Sequence, residues 1–287
     1  MAGHDSCQCI AMLNADLHCH STVSDGMLPP EALAARAKTN GVELWALTDH
    51  DEVGGLVAAR HAAHAEGLSF VPGVEISITW AGHTVHIVGL QIDPFCPALV
   101  EGLAQTRSGR TRRAQEMADA LAQAGVAGAY EGALQYVGNP ELISRTHFAR
   151  YMVEAGICPT VNAVFESYLS DGKPGYVPHR WATLEDAIEW IHAAGGQAVI
   201  AHPGRYKMTA LQHDSLFDRF KELGGEGVEV TTGSHTPAQY ETYAGLARRY
   251  GLLASRGSDF HGPSESRVDL GKLPPLPDSV TPIWRGW

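Results

Sequence analysis

Seven short apolar runs in this chain each carry polar or ionisable residues toward their C-terminal end. They are IAMLNADLH, VELWALTDH, LSFVPGVEISI, HTVHIVGLQ, GGQAVIAHP, GEGVEVTTG and YGLLASRGSDFHG. Short apolar runs bounded by turn residues read as buried strands. Helical patterns separate most of them. PPEALAARAKTNG has its prolines at the start and Gly41 at the end; EVGGLVAARHAAHAEG closes on Gly67; LEDAIEWIHAAGG and PAQYETYAGLARRYG follow downstream. Such alternation predicts a parallel α/β fold, most simply a closed or nearly closed barrel. A doubly wound open sheet is the structural alternative. In a barrel of this kind the active site lies at the C-terminal ends of the strands.

DLHCHSTVSDG sets His18 and His20 two residues apart, beside Asp16 and Asp25. On a strand that spacing points both imidazoles to one face. The other strand ends add Asp49 and His50, Glu75, His86, His202, Asp259 and His261, while Asp25 lies in the first loop. A single interior histidine is ordinarily a hydrogen-bonded core residue. A whole set at one barrel mouth is different, because burying that many ionisable groups without a cation is costly. Imidazole and carboxylate together are the usual ligands of zinc, manganese and iron.

Residues 99–180 break the rhythm and read as mostly helical, through TRRAQEMADALAQAG, PELISRTHFARYMVEAG and TVNAVFESYLS. We expect a helical insertion or cap there, between barrel segments 14–98 and 181–271. A Pro-rich tail, 272–287, should wrap the surface or pack its two tryptophans. The insertion holds eight Arg or Lys and eight Asp or Glu, so the rest of the chain carries the whole formal charge of −11. An acidic body argues against broad coating of nucleic acid, but a local cationic pocket can still take a small anion. Arg107, Arg110, Arg112 and Arg113 read as a solvated helix face, with a track for RNA as the sharper alternative. Five scattered cysteines make a disulfide framework improbable, and Cys7 and Cys9 have no partner pair for a metal. No stretch has the length and apolarity of a membrane span. The expected location is the cytoplasm.

DLHCHS, LTDHD, GVEI, HIVGL, AHPG and SDFHG occur in that order. As a set they resemble the polymerase-and-histidinol-phosphatase, or PHP, family over about residues 14–95 and 185–271. ISRTHFARYMVEAG, GKPGYVP and AHPGRY resemble the branch that hydrolyses 3′,5′-bisphosphorylated nucleosides. The resemblance implies a distorted seven-stranded (β/α)7 barrel and a metal-dependent phosphatase removing the 3′-phosphate from substrates such as pAp. It implies one metal site from His18, His20, Glu75 and Asp259, and a second sharing Glu75 with His86 and His202. Asp25, His50 and His261 would form a third, with Asp25 standing where relatives often have His. Two to three manganese ions are implied, and iron or zinc suits the same donors. Asp49 is expected to orient a ligand histidine, or else to cap the next helix.

Phosphate ester hydrolysis also needs positive charge around the phosphoryl oxygens. Arg205, Arg145, His147 and Lys173 are the candidate contacts. His83 and His235 are candidate general acids, and His235 could also meet phosphate. The competing readings are a 5′-to-3′ exoribonuclease holding the 5′-phosphate end of a short RNA, a cyclic-phosphate diesterase, and a metal-stabilised binding module with no catalysis. Neither a membrane partner nor a stable nucleic-acid complex is expected.

Overall fold

A computed structural model describes residues 13–287, so Cys7 and Cys9 lie outside the described residues. Seven strands form one sheet in sequence order: β1 (Ala15–Asp16), β2 (Leu44–Leu47), β3 (Ser69–Trp80), β4 (His83–Leu90), β5 (Gln197–Ile200), β6 (Gly227–Thr232) and β7 (Leu253–Gly257). The backbone beyond β1 nearly closes the ring on β7. Leu17 N–H donates to Arg256 O at 2.9 Å, Asp259 N–H to His18 O at 2.8 Å, and His20 N–H to Phe260 O at 2.9 Å.

The sheet is mixed, where the sequence pattern led us to expect parallel pairing. β1, β2 and β3 pair in parallel, as do β5, β6 and β7, but β4 is antiparallel to both its neighbours. The reason is local. Only Ala81 and Gly82 join β3 to β4, with φ of 48° and 83°. Two left-handed residues make a tight hairpin turn, and no crossover helix fits in that space.

Helices α1 (Pro30–Thr39) and α2 (Leu56–Glu66) connect the first strands. α3 (Pro97–Arg107) follows β4 and puts Leu99 and Leu103 into the barrel's apolar core. α4 (Arg110–Gln123), α5 (Ala129–Leu134), α6 (Arg145–Glu154) and α7 (Val161–Val164) form the cap. Its apolar cluster is its own, built on Met117, Leu121, Phe148, Met152 and Leu169. α8 (Leu184–Ala193), α9 (Ala210–Glu222) and α10 (Pro237–Tyr250) return to the barrel. Each starts on a threonine in a reciprocal capping box, with Asp186, Gln212 or Gln239 three residues on. The tail ties to β7 through Ala254 N–H to Thr281 O at 2.8 Å, burying Ile283 and Trp284.

Barrel closure runs through Gly257. A Cβ there would lie 2.3 Å from the Cβ of His18 and 2.7 Å from its backbone nitrogen. Gly257→Ala should therefore destabilise the fold by about 1–3 kcal/mol, the range for overpacking. Thermal unfolding should show Tm lower by about 2–10 °C. An unchanged Tm would mean that the β1–β7 seam yields freely.

Candidate metal centre

Glu75 sits inside β3, a carboxylate among apolar neighbours, fully buried. Its Oε1 lies 2.9 Å from His86 Nδ1, 2.9 Å from His202 Nε2 and 3.3 Å from His18 Nε2. Its Oε2 lies 2.8 Å from His50 Nδ1 and 3.3 Å from His20 Nε2. The antiparallel hairpin sets Ser77 opposite His86, which brings that imidazole beside Glu75 from a strand running the other way. His50 arrives from the end of β2, where it bridges to Glu75. All nine sequence-derived candidates converge here. Their donor atoms form overlapping groups: His18, His20 and Asp259; His18, Glu75 and His202; His50, Glu75 and His86; and His20, Asp25, His50 and His261. Within each group the atoms lie within 4.8 Å of one another.

The donors fit divalent cations. Among the described residues, Asp25 Oδ1, Glu75 Oε2, Asp259 Oδ1 and His50 Nδ1 are buried without a hydrogen-bond partner, even though His50 Nδ1 and Glu75 Oε2 are so close. Buried carboxylate oxygens are otherwise almost always satisfied. The tautomers fit as well. His18 Nδ1–H donates to Glu229 Oε1 at 2.7 Å, and His261 Nδ1–H to the Asp259 carbonyl at 3.0 Å. Each bond turns the Nε2 lone pair toward the cluster. Two of the candidates hold strained backbone: His202 has φ of 28° and Asp259 of 55°. Such positions recur at functional sites.

Glu229 escaped the sequence reading. It orients His18, and its Oε2 accepts the backbone N–H of His202 at 2.6 Å. The signal was present, since GVEV in β6 repeats the buried carboxylate of GVEI in β3. Asp49 acts differently from expectation. Its oxygens take Ser21 N–H at 2.7 Å and the hydroxyls of Ser21 and Ser24 at 2.6 Å each. It braces the loop between His20 and Asp25, and touches no imidazole.

The substrate candidates divide. Arg145 and Arg205 line one cavity of about 110 Å³ together with His50, His86, Arg110, Arg113 and Trp181. Arg110 and Arg113 are buried, which corrects the solvated-face reading; Arg112 alone of the run is exposed and pairs with Glu116. The spacing of Arg110 and Arg113 matches the buried stripe of Ala114, Met117 and Leu121 on α4. His147 is buried with Nδ1 accepting Ser144 N–H at 3.0 Å, so it caps α6. Lys173 is exposed in its turn and lines none of the cavities around the cluster. His83 stands at the tip of the β3–β4 hairpin, opposite Trp80. His235 donates from Nδ1 to Val230 O at 3.1 Å and accepts Gly204 N–H on Nε2 at 2.9 Å. Both nitrogens are spent on backbone, which leaves it no proton for a leaving group. It pins the HPG turn instead.

Electrostatics favour ligation. Burial opposes the charge on Glu75, but His86, His50 and His18 hold its carboxyl well below the usual range. Burial, then His261 and His50, push His20 down to about 3, which keeps its lone pair free. Burial works against a proton on His261, yet Asp25 and Asp259 hold that imidazole up to about 9.

A distorted barrel that gathers these donors at one mouth defines a metal-dependent hydrolase. The chain belongs to the PHP domain family, whose profile matches residues 16–223. It is 51% identical over 274 residues to a 3′,5′-nucleoside bisphosphate phosphatase of Chromobacterium violaceum, covering 96% of each chain. It is 44% identical over 274 residues to the 5′-3′ exoribonuclease Rnm of Escherichia coli, covering 95% of this chain and 93% of that one. A solved amidohydrolase structure from Chromobacterium violaceum, with bound sulfate and no metal, superposes with a TM-score of 0.92 at 51% identity over 95% of each chain. No helix among the described residues is long and apolar enough to cross a membrane.

His261 at about 9 holds a proton at neutral pH that a cation must displace. Manganese uptake by the metal-free chain should therefore release protons, and its affinity should rise from pH 6 to 8, by about tenfold per unit for each proton displaced. Calorimetry in two buffers of different ionisation enthalpy measures this. A buffer-independent heat would mean that His261 holds no proton in the metal-free chain.

Proposed function

We propose that this chain removes the 3′-phosphate from nucleoside 3′,5′-bisphosphates, using the nine clustered donors to hold two to three divalent ions. One observation carries the substrate class. Beside the donors lies a chamber lined by Arg110, Arg113, Arg145 and Arg205, and two of these have no acidic partner among the described residues. Arg110 pairs with Asp51 and Arg205 with Asp259. Arg145 lies over Phe165 and reaches only the Leu169 carbonyl, at 3.5 Å. Arg113 donates to Val177 O at 2.9 Å and lies over Trp181. Neither forms an ion pair among the described residues. Burial and then Arg145 and Arg110 push Arg113 down to about 9, a repulsion that an entering anion relieves.

A bisphosphate carries two anions, and this geometry offers each a place. The phosphate being cleaved would lie against the donor cluster, where bound divalent ions supply Lewis acidity toward phosphoryl oxygens and activate water. Arg205 lines the cavities on both sides of this point and can clamp the same group. The 5′-phosphate would enter the arginine chamber, with Arg145 and Arg113 as its contacts. Mixed imidazole and carboxylate donors suit manganese, the ion we assign, and admit iron or zinc. A cytoplasmic location belongs to this reading. The 51% identical phosphatase supports it over 96% of its length.

A second reading, 5′-to-3′ exoribonuclease, has its own support. On the other side of Arg205 and His261 a cavity of about 270 Å³ meets one of about 500 Å³, and the two share Val161 and Glu265. A monoester needs no such room beyond its phosphoryl group, whereas a diester, whose phosphorus also carries the next nucleotide, does. Under this reading the arginine chamber holds the 5′-phosphate end of a short RNA while the first diester is cleaved.

A product assay with manganese should compare pAp, a 3′-monophosphorylated nucleoside, a 2′,3′-cyclic nucleotide and a 5′-phosphorylated trinucleotide. Glu75→Gln should abolish nearly all turnover. Arg145→Ala should raise KM for pAp about 10–100-fold, the worth of a charged hydrogen bond. It should change the 3′-monophosphate little. Equal losses on both would remove Arg145 from the 5′-phosphate contact, and faster turnover of the trinucleotide than of pAp would favour the second reading.

A further inference from the structure

The cap's hydrogen bonds reach the donor cluster on one side. Ser144, at the start of α6, donates its hydroxyl to Asp25 Oδ2 at 3.2 Å. Arg150, six residues further along α6, donates from Nη2 to the Asp25 carbonyl at 2.5 Å. The same guanidinium clamps Glu265 at 2.6 and 2.8 Å, in the loop that follows His261. At the junction of α3 and α4, Arg107 donates to the Asp51 carbonyl at 2.6 Å, and Arg110 meets the Asp51 carboxylate. Asp51 is the residue after His50. Asp25, His50 and the His261 loop are thus braced by this part of the chain, and they belong to one donor group, completed by His20.

The other donors are braced from within the barrel. Glu229 holds His18 and the backbone of His202; Tyr206 takes the backbone N–H of His86 at 2.9 Å; Arg205 pairs with Asp259 at 2.6 Å. Among the described residues, no cap residue makes a hydrogen bond or ion pair with His18, Glu75, His86, His202 or Asp259. Asp25 depends on the cap more than any other donor. Within its own donor group its Oδ1 lies 3.4 Å from His261 Nε2 and 3.9 Å from His50 Nε2, without a hydrogen-bond partner among the described residues, and Ser144 is the hydrogen-bond partner of its Oδ2. Asp49 fixes Ser21 and Ser24 nearby, but not the Asp25 side chain.

We propose that Ser144 and Arg150 are positioning residues for Asp25, so that one cation position, formed by His20, Asp25, His50 and His261, is complete only when the cap is docked. This rests on the reading that the cluster holds divalent ions. Partners that orient a ligand set its affinity for metal, and losing one typically weakens binding by about 10–100-fold. The cluster should therefore hold one weaker, cap-dependent cation beside others that the barrel holds alone.

The test is a manganese titration of the full-length chain by calorimetry, with elemental analysis after gel filtration. Ser144→Ala and Arg150→Met should each raise the Kd of the weakest cation about 10–100-fold and leave the tighter sites unchanged. Ser144→Thr, which keeps both the hydroxyl and the helix cap, should restore it. Should Arg150→Met fail to fold, Glu265→Gln loosens the same clamp and should weaken the same cation. Glu229→Gln should instead weaken a site that contains His18. Wild-type affinities in Ser144→Ala, or an equal loss at every site, would overturn the proposal. A wild-type chain that takes up no cation would overturn the metal reading itself, a distinct outcome.

Discussion

The Glu75 carboxylate is the interaction on which the rest of this molecule depends. Five imidazoles approach its two oxygens within 3.3 Å, from four separate segments of the chain. Nothing in an apolar barrel would tolerate that group uncompensated. The strand order follows from it. β3 must have neighbours on both edges that deliver histidines to the same end, and the reversed β4 does so by placing His86 early in the strand instead of late. The hairpin that breaks the parallel pattern therefore puts the carboxylate between ligands on both sides.

Around this acidic centre the chain distributes charge in a way its net value hides. The barrel mouth collects carboxylates, while the cap face opposite collects arginines, two of which have no acid to answer them among the described residues. Under the proposed function a phosphate would lie between complementary surfaces, with the donor cluster on the barrel side and guanidinium groups on the cap side. Aromatic rings, Trp181 and Phe165, stack against those arginines and limit the rotamers they can adopt. A preorganised clamp loses less entropy on binding than solvated arginines would.

The seven strands were legible because each apolar run is short and bounded by turns, and most are followed by a helical pattern. Most of the nine candidate donors were legible because they stand toward the ends of those runs, with Asp25 in the loop after the first and Glu75 inside the third. What the pattern could not carry was direction. Nothing in the period of β4 distinguishes a strand running down from one running up; only the two-residue link at Ala81 and Gly82 does. Side-chain roles that depend on long-range partners were also hidden. Asp49 meets serines in a neighbouring loop, His235 meets two backbone groups, and Arg110 and Arg113 turn inward because α4 packs against the barrel mouth. Glu229 was overlooked for a different reason: it lies inside its run as Glu75 does, but GVEV was not among the motifs that carried the family resemblance.

His202 and Asp259 each occupy the left-handed backbone region that glycine adopts without penalty. For the histidine in particular, this conformation stores about 1–3 kcal/mol that packing elsewhere offsets. The chain is thus held below its attainable stability at two of its donors. Selection for thermal tolerance alone, without demand for turnover, would push those positions toward glycine. The resulting protein would keep the barrel and outlast its parent on heating, while losing the groups that make the fold useful. Robustness and chemistry compete here at single residues, and these two positions record which one prevailed.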